Sequence, residues 1–233
     1  MMLTGIDISH HNKNMKDLTS ILKYSFVIMK ASEGYSFRDN AVSLYMNVIA
    51  NSYKKPVVGF YHFARPEINN NPWDEARNFI EAVTPYLSYN PFLALDVEAA
   101  ALNYPDLDNW CKEWLSIVEN ILGKKPMIYC SAAETGRFKK CCEYGAGLWV
   151  AKWSDKISKS DIKPWLFWAI WQNSASGICS GVRIDTDVFN GTIEQLLKYC
   201  EVDDGAENNT ASNNSGDRGS LQSRKYRRVK KDK

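Results

Sequence analysis

Two carboxylates close an apolar run in Phe92-Leu93-Ala94-Leu95-Asp96-Val97-Glu98. The run is long enough for one buried strand, and alternate side chains of a strand share a face. Asp96 and Glu98 therefore point the same way, roughly 6–7 Å apart along the strand. Burying two acids on one face is costly unless something neutralises or uses them. Hydrolysis of a glycosidic bond uses such a pair, with one carboxyl kept protonated as general acid. By itself, Asp-x-Glu fits a solvated or salt-bridged pair better.

The elements that would position this pair change the balance. Seven other strand-like runs, at residues 5–9, 26–30, 57–63, 127–130, 148–153, 167–172 and 184–189, also turn polar or aromatic near their carboxyl ends. Between the runs, apolar residues recur at three- and four-residue spacing over 15–22, 41–53, 73–87, 107–122 and 192–200, with a short helix around 132–141. Asn71-Pro72 and Pro105-Asp106 are helix-start signals, and Gly123 is a stop. Strands alternating with helices imply a parallel sheet, and eight of them a closed α/β barrel with its active site at the carboxyl ends of the strands. About 200 residues is short for a fold that typically takes about 250, so the later crossovers must be reduced.

The order of the motifs carries a resemblance. They are Gly5-Ile6-Asp7-Ile8-Ser9 with His11-Asn12, Lys30-Ala31-Ser32-Glu33-Gly34, Gly59-Phe60-Tyr61-His62-Phe63-Ala64-Arg65-Pro66 and Leu95-Asp96-Val97-Glu98. Pro126-Met127-Ile128-Tyr129, Leu148-Trp149-Val150-Ala151, Trp171-Gln172 and Ile184-Asp185-Thr186-Asp187-Val188-Phe189 follow. Together they resemble glycoside hydrolase family 25, the Chalaropsis-type N-acetylmuramidases of phage endolysins, bacteria and some fungi. The resemblance implies an irregular, flattened TIM-like (β/α) barrel that cleaves the β-1,4 bond between N-acetylmuramic acid and N-acetylglucosamine in peptidoglycan, with no cofactor. It makes Glu98 the proton donor and Asp96 the partner that keeps Glu98 protonated and orients the 2-acetamido group. Asp7 and Asp185 match two further acids at the first and last strand ends. Asp187 stands where the family most often has asparagine, and an outer partner is expected to satisfy its charge.

Tyr61, Tyr129, Trp149 and Trp171 are candidates for stacking on sugar rings, against core packing as the plainer alternative. Lys30 and His62 are further substrate-binding candidates. Lys30 also suits an ion network with Glu33 and Arg65, and His62 suits a structural hydrogen bond. His10 and His11 with Asp7 do not make a metal site, because adjacent strand residues point oppositely and no third nitrogen or thiolate ligand is spaced to join them. Two rivals remain open: a barrel that binds peptidoglycan without turnover, and an N-acetylglucosaminidase or chitinase on the same scaffold. The run of aspartates expected before a chitinase glutamate is missing, since Ala94 and Phe92 hold the preceding positions.

The chain has 233 residues, 45% of them hydrophobic, enough for one large core over 1–202. Residues 203–233 change character to a flexible polar linker and a basic run at 224–231. That tail holds eight Lys/Arg against five Asp/Glu, so it carries the net charge of +2, the rest being nearly balanced. A basic end suits anionic wall polymers, whereas no nucleic acid is expected. Six cysteines without Cys-x-x-Cys spacing read as reduced thiols. The amino terminus enters the first strand at once, without an ordinary signal peptide, and no run approaches a transmembrane span. The expectation is synthesis in the cytoplasm and action at the bacterial wall, by release through a holin-type pore or non-standard export.

Overall fold

The structure is a computed structural model that describes residues 2–202; the linker and basic run expected at 203–233 lie outside the described residues. Nine strands form one sheet: β1 (Leu3–Ile8), β2 (Phe26–Glu33), β3 (Phe37–Arg38), β4 (Val57–Phe63), β5 (Phe92–Asp96), β6 (Met127–Ser131), β7 (Leu148–Ala151), β8 (Ile170–Cys179) and β9 (Val182–Phe189). Pairing of β1 with both β2 and β9 closes eight of them into a barrel, and β3 is a short antiparallel addition to β2. All eight expected runs are strands of that barrel.

The last strand departs from the parallel expectation. β9 runs antiparallel to both β1 and β8. Cys179 pairs with Val182, and between them Ser180 and Gly181 both have positive φ, 49° and 83°. A two-residue turn of this kind joins a tight hairpin and leaves no room for a crossover helix.

Alternation along each strand divides the core in two. Even-numbered residues of β1 and odd-numbered residues of β2 pack outward, where Ile6, Ile8, Val27 and Met29 meet the helices. Phe26, Ile28, Tyr61, Phe92, Ala94, Met127, Tyr129, Trp149, Ile170 and Phe189 fill the lumen. Near the bottom, Gly5 lies opposite Phe26 and Gly59 opposite Phe92. A Cβ at either glycine would sit 2.2 Å or 2.3 Å from the facing phenyl ring. These glycines admit the two rings, and the filled floor confines any open space to the other end of the barrel.

The helices are α1 (Val42–Ala50), α2 (Pro72–Val83), α3 (Leu107–Leu122), α4 (Lys139–Glu143) and α5 (Ile193–Lys198). Asn71 caps α2, and Gly123, at φ 70°, ends α3. Residues 15–22 form no α-helix but a 3-10 helix, Leu18–Lys23, started by the Asp17 side chain on the Thr19 N–H. The helix expected over 73–87 stops at Val83 and continues as a 3-10 segment, Thr84–Tyr89. Pro85 explains the break: it lacks an N–H, and its ring would strike the carbonyl one turn back. The crossovers after β6 and β7 hold only α4 and 3-10 segments, so the later side is reduced as expected. All six cysteines are free thiols.

Candidate active site

Above the phenylalanine floor the lumen turns polar. Asp7, Lys30, Tyr61, Asp96, Tyr129, Trp149 and Gln172 line a cavity of about 510 Å³, together with Glu98, Trp153, Arg183 and Asp185 at its rim. β5 ends at Asp96, but the backbone stays extended through Glu98, and the Val97 N–H still donates to the Tyr129 carbonyl at 3.0 Å. Both acids therefore reach the same cavity, as their spacing requires. Ala99 then turns the chain at φ 52°, a left-handed conformation that costs a non-glycine residue about 1 kcal/mol. This turn fixes where the backbone of Glu98 leaves the strand direction.

Because β9 is antiparallel, Asp185 enters the site from the opposite direction to the other acids. It pairs directly across from Asp7. Like charges so placed repel. Asp7, Asp96, Glu98, Asp185 and Asp187 form one cluster, and among the described residues none of the five is in an ion pair. Burial, then Asp185, raises Asp7 to about 7. Burial, then Glu98, holds Asp96 well above the ordinary carboxylate range. Burial and then Asp185 raise Glu98, with Lys30 opposing.

The two acids of this pair sit in different surroundings. Asp96 is 6% exposed and its Oδ1 has no hydrogen-bond partner among the described residues. Glu98 is among the causes that raise Asp96, and Asp185 is among those that raise Glu98.

These raised carboxyls set a pH dependence of stability. Between the ordinary carboxyl range near pH 4 and about 7, the folded protein keeps protons that the unfolded chain has released. Their stabilising contribution is full below the unfolded pKa and is lost as pH rises through the folded one. His62, lowered by burial, acts oppositely below about pH 6.5, one group against several. Calorimetry should therefore give a Tm several degrees higher near pH 5 than near pH 7.5. A Tm that rises over that interval would show the acids ionised in the fold.

Two of the sequence-selected binding residues lie outside the cavity. His62 faces outward from β4 and is fully buried. Its Nε2–H donates to Glu75 Oε2 at 2.8 Å, Ser32 Oγ–H donates to its Nδ1 at 2.8 Å, and its ring stacks on Trp114. Lowering of its pKa by burial makes this neutral tautomer the fitting one. Trp171 also points outward, packing edge-on against Trp168 while its Nε1–H donates to the Lys152 carbonyl. Lys30 does line the cavity, but its ammonium is bonded to Glu33 at 2.7 Å, and Glu33 also accepts from Arg65 at 2.6 Å. His10 is held by Asp39 at 2.8 Å.

A closed barrel with an acid cluster at one mouth is the setting in which comparison with known proteins becomes informative. The model of glycosyl hydrolases family 25 matches residues 6–182. The chain belongs to this family. It is 30% identical over 209 residues to the uncharacterized protein YegX of Escherichia coli strain K12, covering 84% of this chain and 73% of that one. To Lysozyme M1 of Streptomyces globisporus it is 26% identical over 217 residues, covering 83% and 69%. The family 25 lysozyme of Aspergillus fumigatus superposes with a TM-score of 0.72 at 24% identity, over 86% of this chain and 99% of that one, a likeness of fold.

As a family 25 member the protein is a glycoside hydrolase, and three further residues of this hydrolase shape its site. Gln172 donates from Nε2 to Asp7 Oδ2 at 2.8 Å, while its Oε1 accepts from both Tyr129 and Trp153 at 3.1 Å. One amide thus ties an acid, a wall tyrosine and a rim indole together. Trp153 is 66% exposed, just beyond β7, and borders the cavity. Asp187 points inward rather than to an outer partner, with Trp149 Nε1–H donating to it at 2.8 Å. Residues 170–172 are all buried, so no polar alternation marks Gln172 as the inward residue and Trp171 as the outward one.

Proposed function

We propose that this glycoside hydrolase is an N-acetylmuramidase, cleaving the β-1,4 bond between N-acetylmuramic acid and N-acetylglucosamine in bacterial peptidoglycan. The observation that carries the reading is the β5 acid pair: one carboxyl at the rim with a raised pKa and one buried behind it with an unpartnered oxygen. Glu98 gives its proton to the glycosidic oxygen as the bond to the anomeric carbon breaks, and water supplies the hydroxyl of the new reducing end, its other proton restoring the acid. Asp96 Oδ1, which lacks a donor, accepts the N–H of the 2-acetamido group and orients it. Asp7 and Asp185 supply the negative field that favours the positively charged transition state. The names of the relatives support the choice of polymer, since Lysozyme M1 and the Aspergillus fumigatus protein are lysozymes.

Tyr61, Tyr129 and Trp149 form the aromatic wall of the same cavity, with Trp149 4.6 Å from Tyr129 and 6.0 Å from Tyr61 between ring centroids. Trp153 adds an exposed indole face held by Gln172. Trp153→Ala should raise KM for soluble glycan fragments by about three- to tenfold, the value of one lost aromatic contact, with kcat reduced far less. An equal fall in kcat at unchanged KM would remove Trp153 from substrate binding.

The basic run at 224–231 is proposed to hold the enzyme near anionic wall polymers, at the bacterial wall where its substrate lies. Among the described residues no helix is long and apolar enough to cross a membrane.

The deciding experiment is mass spectrometry of purified peptidoglycan after digestion, with Glu98→Gln in parallel. New reducing-end N-acetylmuramic acid, absent with the variant, is the expected product. Reducing-end N-acetylglucosamine would move the protein to a glucosaminidase. No fragments at all, with the protein still pelleting on walls, would leave a binder.

A further inference from the structure

Asp187 is the acid for which the proposed hydrolysis has no use. It lies on the lumen side of β9 and is 1% exposed. Its Oδ1 accepts from Trp149, while Oδ2 meets no donor among the described residues. In the β1–β9 ladder Asp187 is opposite Gly5 and Asp185 is opposite Asp7, so Asp187 is the diagonal neighbour of Asp7 on the same face. Each carboxyl bears on the other's ionisation, Asp7 raising Asp187. Asp7 Oδ2 is already occupied by the Gln172 amide.

Two buried carboxylates in contact cannot both be ionised. We infer that Asp187 is a positioning residue whose Oδ2 carries a proton and donates it to Asp7, fixing the Asp7 carboxyl at the cavity wall. This proton gives the orphaned oxygen a partner. It also ties β7, through Trp149, to β1 across β9.

The surroundings favour keeping the proton. Asp185 on the same strand adds negative charge, Glu98 just beyond β5 bears on Asp7, and Asp96 of β5 is itself raised. Tyr61 of β4 and Tyr129 of β6 have raised pKa values and stay neutral. The cations bordering the cavity meet other groups: Lys30 of β2 is bonded to Glu33, and Arg183 of β9 donates to the Ala175 carbonyl and acts on Asp185. His11 lies at the rim of the same cavity. Burial and then Asp7 hold Asp187 well above the ordinary range, in the direction the contact requires.

The test has two arms. The first is a carbon-13 NMR titration of the assigned Asp side-chain carboxyls in the wild-type protein. At about pH 6, two units above an ordinary Asp, the Asp187 carboxyl should still show the shift of a protonated acid. The second is the pH profile of kcat on peptidoglycan for wild type and Asp187→Asn. With Asp187 protonated, an asparagine that keeps donating to Asp7 removes no charge, so the alkaline limb, set by the Glu98 proton, should stay within about 0.3 pH unit. An ionised Asp187 at that pH, or an alkaline limb lowered by more than that, overturns the inference. The kinetic arm rests on the muramidase reading; the NMR arm does not. If peptidoglycan is not cleaved, the titration alone decides, and it needs no variant to fold.

Discussion

Glu98→Gln should lower kcat on peptidoglycan by about 10²–10⁴-fold, the range for removal of a general acid. The substitution keeps the size and the hydrogen-bonding shape of the side chain but offers no proton to the leaving oxygen. It also removes one of five mutually repelling carboxyls, whose raised pKa values show that the fold is working against their charge. The variant should therefore be at least as thermally stable as the wild type. Loss of turnover with an unchanged or higher Tm separates a catalytic role from a structural one, a trade expected where function requires destabilising groups. Retention of more than about a tenth of the wild-type kcat would remove Glu98 from the proton-donor role. Initial rates of reducing-end release, beside calorimetry on the same samples, make the measurement.

His62→Ala should have the opposite profile. His62 supplies the donor to Glu75, a fully buried carboxylate that also accepts from the Arg65 backbone N–H and Asn70 Nδ2. Removing the ring leaves Glu75 short of one donor, leaves the Ser32 hydroxyl without its acceptor and opens a cavity against Trp114 and Phe79. A buried charge losing a partner costs about 3 kcal/mol or more. At about 2–4 °C per kcal/mol for a domain of this size, Tm should fall by roughly 6–12 °C. KM and kcat at 25 °C should stay near wild type in the folded fraction, because the ring lies on the outer side of β4. A tenfold rise in KM at unchanged Tm would return His62 to the substrate site.

The amino-acid sequence by itself determined the acid pair and the scaffold that holds it. Asp96 and Glu98 share a face because strand geometry has a period of two, whatever surrounds it. The eight runs, the start of α2 at Pro72 and the stop of α3 at Gly123 are local features written in local chemistry. Which way the last strand runs was decided at Ser180-Gly181, a two-residue turn between the runs at 167–172 and 184–189. Which side Trp171 and Gln172 face was decided by closure of the barrel. A strand buried on both sides has no polar alternation for the eye to follow, so the phase of its period is set only by its neighbours. The same holds for Asp187. From the sequence its charge is expected to find an outer partner, and only the antiparallel register of β9 with β1 makes it the buried diagonal neighbour of Asp7. Local preference fixes spacing along a chain; the meeting of carboxyls from β1, β5 and β9 is a property of the closed sheet.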